Sequence, residues 1–144
     1  MPYEPMKMLA EFHDYFGIER ERDVVDGDKD RLITLRRRLI EEECQEAADE
    51  LVHLARSLGR GEHGRDARVA LAKELADVLY VTYGAADVLG IDLQGAFEAV
   101  HRSNMSKLGA DGKPVRREDG KLLKGPDYRE ADVERFVPDR SRTV

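Results

Sequence analysis

Two long segments of this chain repeat apolar side chains at the spacing of an α-helix, and acidic side chains interrupt both apolar stripes. The segments are residues 31–58 and residues 71–89. A period near 3.6 residues predicts two amphipathic helices, each with one face turned toward a core. Carboxylates fall within that face in both segments, although a charged group is costly to bury unless it is paired or binds a metal. Any fold for this chain must therefore account for inward-facing acids.

The acids form two clusters, whose members face inward except Asp77, which lies on the flank of its stripe. Glu42, Glu43 and Glu46 lie in the run EEECQEAADE, and Glu74 and Asp77 lie in KELADVLYV. Residues three or four positions apart share a helix face, so the like charges in each cluster repel unless a cation neutralises them. Clusters that offer only oxygen atoms suit hard cations such as Mg²⁺ or Mn²⁺. We therefore expect a metal site built by two facing helices.

A second interpretation places both clusters on solvated helix faces, where neighbouring basic side chains neutralise them. The basic residues available for this are Arg36, Arg37, Arg38 and Lys73. We favour the metal site because the acids break apolar stripes rather than follow a polar face. Glu41 points away from the stripe and is expected at the surface, whereas Glu50 falls within the stripe and is a reserve ligand.

Helical periodicity and helix-ending residues predict an all-α fold, an antiparallel bundle of four to five helices with a short C-terminal loop or hairpin segment. The clearest helices are expected near residues 4–15, from an N-cap at Asp28 or Asp30 to the run SLGRGEHG, at residues 66–89, and from Asp92 onward. No repeat marks a second domain. Residues 1–144 are therefore expected to form one domain, with residues 129–144 as a tail.

Composition and charge exclude several kinds of protein. The net charge is −6 and no apolar run is long, which argues against general nucleic-acid binding and against a membrane span. The segment from Arg102 to Lys124 nevertheless carries seven basic residues against three acids, which suggests a small polyanionic ligand. The single Cys44 excludes an internal disulfide, fits the reducing cytoplasm and is expected to be a small buried packing residue.

The acidic clusters and a later segment resemble those of a known enzyme group. Glu42-Glu43-x-x-Glu46, followed by Glu74-x-x-Asp77, is similar to the motif of the all-α nucleoside triphosphate pyrophosphohydrolases. The stretch HRSNMSKLGADGKPVRREDGKLLKGPDY resembles the C-terminal segment of small bacterial MazG-like dUTP pyrophosphatases. The resemblance implies hydrolysis of a nucleoside triphosphate between its α and β phosphates. It also implies Mg²⁺, with Mn²⁺ as the alternative, and a homodimer, with a tetramer as the alternative.

The resemblance assigns a role to each acid of the motif. The ligands of divalent cations would be Glu43, Glu46, Glu74 and Asp77. Glu42 would bind a further cation, or would orient and deprotonate the attacking water.

Four later residues are candidates for substrate binding: Asn104, Lys107, Lys124 and Tyr128. By the resemblance, Asn104 would recognise the base or sugar and Lys107 a phosphate. Lys124 would attract the triphosphate, and Tyr128 would close over the nucleotide. Each also has a plain structural interpretation: Asn104 as a helix C-terminal cap, Lys107 as a cation beside the helix dipole, Lys124 as surface charge and Tyr128 as an anchor of the tail.

The predicted function is therefore a cytoplasmic, divalent-metal-dependent nucleoside triphosphate diphosphatase that removes unwanted nucleotides from the precursor pool. dUTP is the leading substrate, with the monophosphate and pyrophosphate as products. One alternative is the same chemistry on another nucleotide, such as dCTP or a modified nucleotide. Another is a non-catalytic helical interaction module stabilised by a metal, because a structural ion also needs several carboxylates.

Overall fold

The computed structural model describes residues 2–139, and its regular structure is helical. Its α-helices are α1 (Pro5–Phe16), α2 (Asp26–Gly59), α3 (Arg65–Leu89) and α4 (Leu93–Met105), and short 3₁₀ turns cover Glu21–Asp23 and Glu134–Phe136. One isolated antiparallel bridge is the only β pairing between described residues. The all-α prediction is confirmed. No helix within residues 2–139 is both long and apolar enough to cross a membrane.

The helix ends follow the chemistry of their residues. Gly17 and Gly90 close α1 and α3 in the left-handed conformation, with φ values of 65° and 71°, which costs glycine nothing. Asp92 caps α4, as predicted, and accepts a hydrogen bond from the backbone N–H of Gly95 at 3.0 Å. The predicted start of α2 is wrong by a few residues, because the helix begins at Asp26 and its N-cap position is Val25.

The chain divides into two compact units, of which the first ends at Gly90 and the second begins at Ile91. The single domain over residues 1–144 stays a prediction. In the first unit, α2 packs chiefly on α3, and a connection of only five residues joins them. Leu32, near the start of α2, belongs to one buried cluster with Val88, near the end of α3, so the two helices run antiparallel.

α1 packs on α3 through a paired polar cluster formed by His13, Arg20 and Asp87. Oδ2 of Asp87 lies 2.7 Å from Nδ1 of His13 and 2.9 Å from Nε of Arg20. Because a carboxylate oxygen only accepts hydrogen bonds, Nδ1 of His13 carries the proton. The terminal nitrogens of Arg20 also donate to backbone carbonyls of Ala10 and Ile18. The cluster therefore leaves the buried His13, which is 2% exposed, with a partner.

Much of the apolar stripe predicted to face the core is exposed in the single chain. Leu32, Ala47 and Ala86 are buried. The stripe residues that remain about half exposed are Leu35, Leu51, Leu58, Leu75 and Leu79. The helical wheel identifies one apolar face correctly, but the neighbouring described helices cover only part of it. Cys44 is exposed rather than buried, so its predicted packing role is wrong.

In the second unit, the chain after α4 folds back on itself. The two Asp-Gly pairs form turns, with Gly112 and Gly120 at positive φ, and the bridge between Arg116 and Leu122 makes a minimal hairpin around the second turn. The hydroxyl of Ser103 donates to the carbonyl of Arg129 at 2.8 Å. The predicted tail is described as far as residue 139; residues 140–144 lie outside the described part of the chain.

Candidate metal centre

Three of the predicted acidic residues converge between α2 and α3. Glu43 and Glu46 on α2 and Glu74 on α3 each offer one carboxylate oxygen, and these three oxygens lie within 4.8 Å of one another. The convergence follows from the antiparallel packing, which places the middle of α2 beside the first half of α3. Three anionic groups so close repel strongly unless a proton or a cation intervenes.

Two of these carboxylates are short of partners. Oε2 of Glu43 and Oε2 of Glu74 are buried and have no hydrogen-bond partner among the described residues. A buried carboxylate oxygen without a partner costs free energy. Several hard oxygen donors around one point are the ligands that Mg²⁺ and Mn²⁺ prefer. The residues present therefore fit a divalent cation.

Protonation provides the alternative to a cation at Glu46. A protonated Glu46 can donate a hydrogen bond to Glu74, and the negative charges of Glu43 and Glu74 lie close by; these effects raise the pKa of Glu46 above its ordinary value. Glu46 itself is exposed, so water has access to it. A cation entering the cluster would compete with this proton.

Lys73 supplies part of the missing positive charge, from outside the cluster. Its Nζ lies 3.1 Å from Oε1 of Glu74 and 2.8 Å from Oδ2 of Asp77. The hydrogen bonds to Asp77 and Glu74 raise the pKa of Lys73. The lysine side chain is 67% exposed, so solvent screens the pairs. The solvated-face interpretation therefore describes Asp77 in this structure, whereas Glu43, Glu46 and Glu74 form the converging set.

The remaining acids of the region flank the cluster. Glu42 is exposed and has no hydrogen-bond or ion-pair partner among the described residues, so no described side chain occupies its carboxylate. Glu50 lies 3.4 Å from Nδ1 of His53 and is thus engaged elsewhere. Glu41 is at the surface, as predicted, and pairs with Arg37 at 3.3 Å.

The four predicted substrate-binding residues all belong to the second unit. Asn104 lies near the end of α4, where its carbonyl accepts the backbone N–H of Lys107 at 3.2 Å. The carbonyl of Lys107 accepts the backbone N–H of Gly125 at 3.0 Å. Nζ of Lys124 lies 4.4 Å from the ring centroid of Tyr128, a cation–π contact. The backbone thus brings Lys107 next to the segment that holds Lys124 and Tyr128.

Gly125 makes this return of the chain possible. A Cβ at this position would overlap the carbonyl oxygen of Leu108, so only glycine permits the close approach. The four candidates therefore lie near one end of α4 because the chain returns closely at Gly125. Residue spacing alone does not predict this return.

Arg36, on α2, is buried although the sequence does not predict its burial. The sequence offers Arg36 only as a surface partner for the acids, yet it is 9% exposed and its Nε is buried without a hydrogen-bond partner among the described residues. A signal is present: Arg36 follows the apolar Leu32 by four residues and precedes Glu43 by seven, which places all three on one helix face.

The structure thus defines an all-α protein in which carboxylates of two facing helices meet at one point, an arrangement that bundle proteins use to hold metals. Residues 9–104, two thirds of the chain, match the phosphoribosyl-ATP pyrophosphohydrolase family. The chain belongs to this family, and so to the MazG-like all-α nucleoside triphosphate pyrophosphohydrolases. No curated protein gave a match.

Family membership identifies the general class of reaction. The protein is a pyrophosphohydrolase that acts on a nucleotide-like substrate, and enzymes of this kind generally use divalent metals. The matched range includes all five acids of the motif and ends at Asn104. Lys107, Lys124 and Tyr128 lie beyond it.

Proposed function

We propose that the protein is a divalent-metal-dependent pyrophosphohydrolase that cleaves a nucleoside triphosphate to the monophosphate and pyrophosphate. The observation that carries this proposal is the pair of buried, unpartnered oxygens of Glu43 and Glu74 within the converging cluster. A merely solvated acidic face would leave no such buried oxygens, because water would satisfy them. The family match supports the reaction class.

The cation would be held by Glu43, Glu46 and Glu74, with Asp77 recruited from its pair with Lys73. Asp77 lies one helical turn after Glu74 on α3 and its side chain is 37% exposed, so exchanging the exposed ammonium of Lys73 for a cation costs little. When bound, Mg²⁺ or Mn²⁺ lowers the pKa of water and neutralises charge on the phosphates. Lys73 would then be released toward solvent or toward the substrate.

Glu42 is the proposed acceptor of the proton from the attacking water. It precedes Glu43 directly and has no partner among the described residues, so nothing competes for its lone pairs. Holding the water near Glu42 orients it for attack and removes its proton in one place.

dUTP is the leading substrate, because residues 101–128 resemble the C-terminal segment of dUTP pyrophosphatases. Most of this segment lies beyond the family match, and it carries Lys107, Lys124 and Tyr128. The second candidate is phosphoribosyl-ATP, since the family description names it. A cytoplasmic role in clearing unwanted nucleotides goes with the first candidate.

A homodimer is the proposed working form. Leu35, Leu51, Leu75 and Leu79 are between 44% and 51% exposed on the α2–α3 pair, and a second copy of the same face would bury them. Light scattering after gel filtration should give a dimer mass for the wild type. Leu79→Asp should shift the mass toward the monomer, whereas a monomer mass for the wild type would contradict the proposal.

The direct test is a panel assay. The protein is incubated with each common NTP and dNTP and with phosphoribosyl-ATP, with Mg²⁺ or Mn²⁺ or with a chelator, and pyrophosphate and monophosphate are measured. We expect metal-dependent release of both products, with dUTP among the best substrates. Preference for phosphoribosyl-ATP would reject the dUTP assignment alone. Absence of product from every nucleotide, together with metal-induced stabilisation, would favour the non-catalytic interaction module instead.

A further inference from the structure

Arg36 is a buried cation that has no counter-ion within the described residues. The residue is 9% exposed, and Nε is buried with no hydrogen-bond partner. No other hydrogen bond or ion pair to Arg36 exists within residues 2–139. Burial lowers the pKa of its guanidinium, since the charged form loses contact with water. Guanidinium groups in protein interiors are normally paired with acceptors, so this arrangement costs stability in the free protein.

The position of Arg36 links it to the acidic cluster. Leu32, Arg36, Glu43 and Ala47 fall within an arc of about 60° on α2, counted at 100° per residue. Leu32 and Ala47 are buried, so this is a packed face of the helix. Arg36 and Glu43 are about 10 Å apart along the helix axis, and both carry a buried polar atom without a partner.

The end of the Arg36 side chain remains open to a ligand. Nε is fully enclosed, whereas the two terminal nitrogens, which also lack partners among the described residues, are not fully enclosed. The stem is therefore held by packing, while the end of the fork keeps limited access to solvent. Such a group is pre-oriented for an anion, because few rotamers remain to be lost on binding.

The same face of α2 thus presents one negatively charged site and one positively charged site. The acidic cluster needs cations, and Arg36 needs an anion. A polyphosphate that carries divalent cations satisfies both at once, because its oxygens bind metal at one point and a guanidinium at another. A single carboxylate ligand would satisfy Arg36 but would leave the acids unneutralised.

We propose that Arg36 is a further substrate-binding residue, which binds one phosphate group of the nucleotide whose other phosphates would be held through divalent cations at the Glu43–Glu46–Glu74 cluster. The inference rests on the proposed function for the identity of the anion. It adds a candidate that lies within the first unit, on the same helix as two of the acids. Arg36 donates hydrogen bonds to the phosphate oxygens and takes no part in proton transfer.

The test uses inorganic pyrophosphate with Mg²⁺ as the probe, followed by calorimetry and by the shift in melting temperature. The variants are Arg36→Met and Arg36→Lys, with Arg37→Met as the matched control, because Arg37 is exposed and pairs with Glu41. We expect Arg36→Met to lower pyrophosphate affinity about tenfold or more, as for the loss of charged hydrogen bonds. Arg36→Lys should keep part of the affinity, since lysine supplies charge without the fork.

Stability without ligand separates binding from a structural role. Arg36→Met should melt at the same temperature as the wild type or higher, because it removes an unpaired buried charge. Normal pyrophosphate affinity in a folded Arg36→Met or Arg36→Lys variant would overturn the proposal. So would a change of oligomer mass with normal affinity, which would assign Arg36 to a carboxylate of a second copy. Failure of the wild type to bind pyrophosphate would overturn it as well.

Failure of the inference about Arg36 can be distinguished from failure of the proposed function. If the wild type hydrolyses no nucleotide but binds pyrophosphate in a manner that depends on Arg36, the anion site stands and the enzymatic proposal falls. If the wild type is active and Arg36→Met has an unchanged KM and unchanged pyrophosphate affinity, the enzyme stands and the inference about Arg36 falls.

Discussion

Helix α3 carries two acidic side chains that are almost equally buried but have opposite surroundings. Asp87, near the end of the helix, is 15% exposed and lies against His13 and Arg20. Glu74, in its first half, is 13% exposed and lies against Glu43 and Glu46; among the described residues only the exposed Lys73 provides a counter-charge. Burial alone therefore says little about the role of an acid in this fold; the balance of its partners says much more.

The two clusters have different consequences for stability. Asp87 ties α1 to α3 and leaves no charge uncompensated, so its removal would destabilise the fold. The Glu74 cluster brings like charges together and leaves buried oxygens without partners, so in the absence of a cation it destabilises the fold. Sites that sacrifice stability in this manner are commonly functional.

Glu43→Gln has the largest expected effect, and it tests whether the Glu74 cluster serves metal binding at a cost in stability. The amide keeps the shape of the side chain but removes a negative charge, so the cluster loses a ligand and some repulsion. We expect turnover to fall about 100-fold or more, because even the loss of a residue that only supports a metal ligand costs about 10–100-fold, while the melting temperature of the metal-free protein stays the same or rises. Steady-state hydrolysis and thermal melting measure the two effects.

Glu41→Gln is the matched control for this change. It lies on the same helix two residues earlier, but it is exposed and pairs with Arg37, so activity should be normal. Near-normal metal-dependent hydrolysis by Glu43→Gln would refute the metal assignment. A large loss of stability instead would show that the cluster is structural.

Asp87→Asn should produce the opposite pattern. The substitution leaves the guanidinium of Arg20 with Asp14 and backbone carbonyls only, and it breaks a largely buried charge pair. We expect a loss of about 3 kcal/mol in the free energy of unfolding, measured by urea denaturation. Specific activity should change little at temperatures where the variant is folded, because Asp87 does not belong to the converging acids. A stability loss as small as that of Glu41→Gln, about 0.5 kcal/mol or less, would contradict this view.

The pH dependence of stability should expose the strain in the acidic cluster. The pKa of Glu46 is raised above its ordinary value of 4.5 in the folded state, so the folded protein binds this proton more tightly than the unfolded chain. The stabilisation that comes from this tighter proton binding is complete at pH values below the ordinary pKa of Glu46. It is lost as the pH rises through the raised pKa of the folded state. Urea midpoints of the metal-free protein should fall over this window.

Glu46→Gln serves as the control for that profile. An amide cannot titrate, so the fall in stability with rising pH should flatten at this step. Added Mg²⁺ should oppose the fall, and its affinity should increase with pH because deprotonated ligands bind cations better. Identical profiles for the wild type and Glu46→Gln would show that the cluster does not titrate through Glu46.

Sequence periodicity predicts the parts of this molecule that depend on neighbours along one helix. The position of Glu43 between Leu39 and Ala47 is enough to assign it to an inward face, and the role of Asp92 as a cap follows from its place before α4. The pairing of His13 with Asp87 spans 74 residues and leaves no periodic signal. The burial of Arg36 escapes prediction because basic residues are rarely buried, and a helical wheel shows which residues share a face without showing what covers it.

The smallest expected effect concerns the close approach of α1 to α3 at Gly84. This glycine lies inside α3, where alanine is favoured by roughly 0.5–1 kcal/mol. A Cβ there would meet Nε2 of His13 and Cδ1 of Leu9 at 3.5 Å each, which is ordinary van der Waals contact. Gly84→Ala should therefore raise the free energy of unfolding slightly and leave hydrolysis unchanged. Gly95→Ala in α4 is the control, and it should lower the free energy of unfolding. Its Cβ would overlap the ring of Phe136 and force the ring to move. A loss of stability in Gly84→Ala as large as in Gly95→Ala would mean that the paired cluster around His13 tolerates no displacement, and that its rigidity exceeds what its contacts indicate.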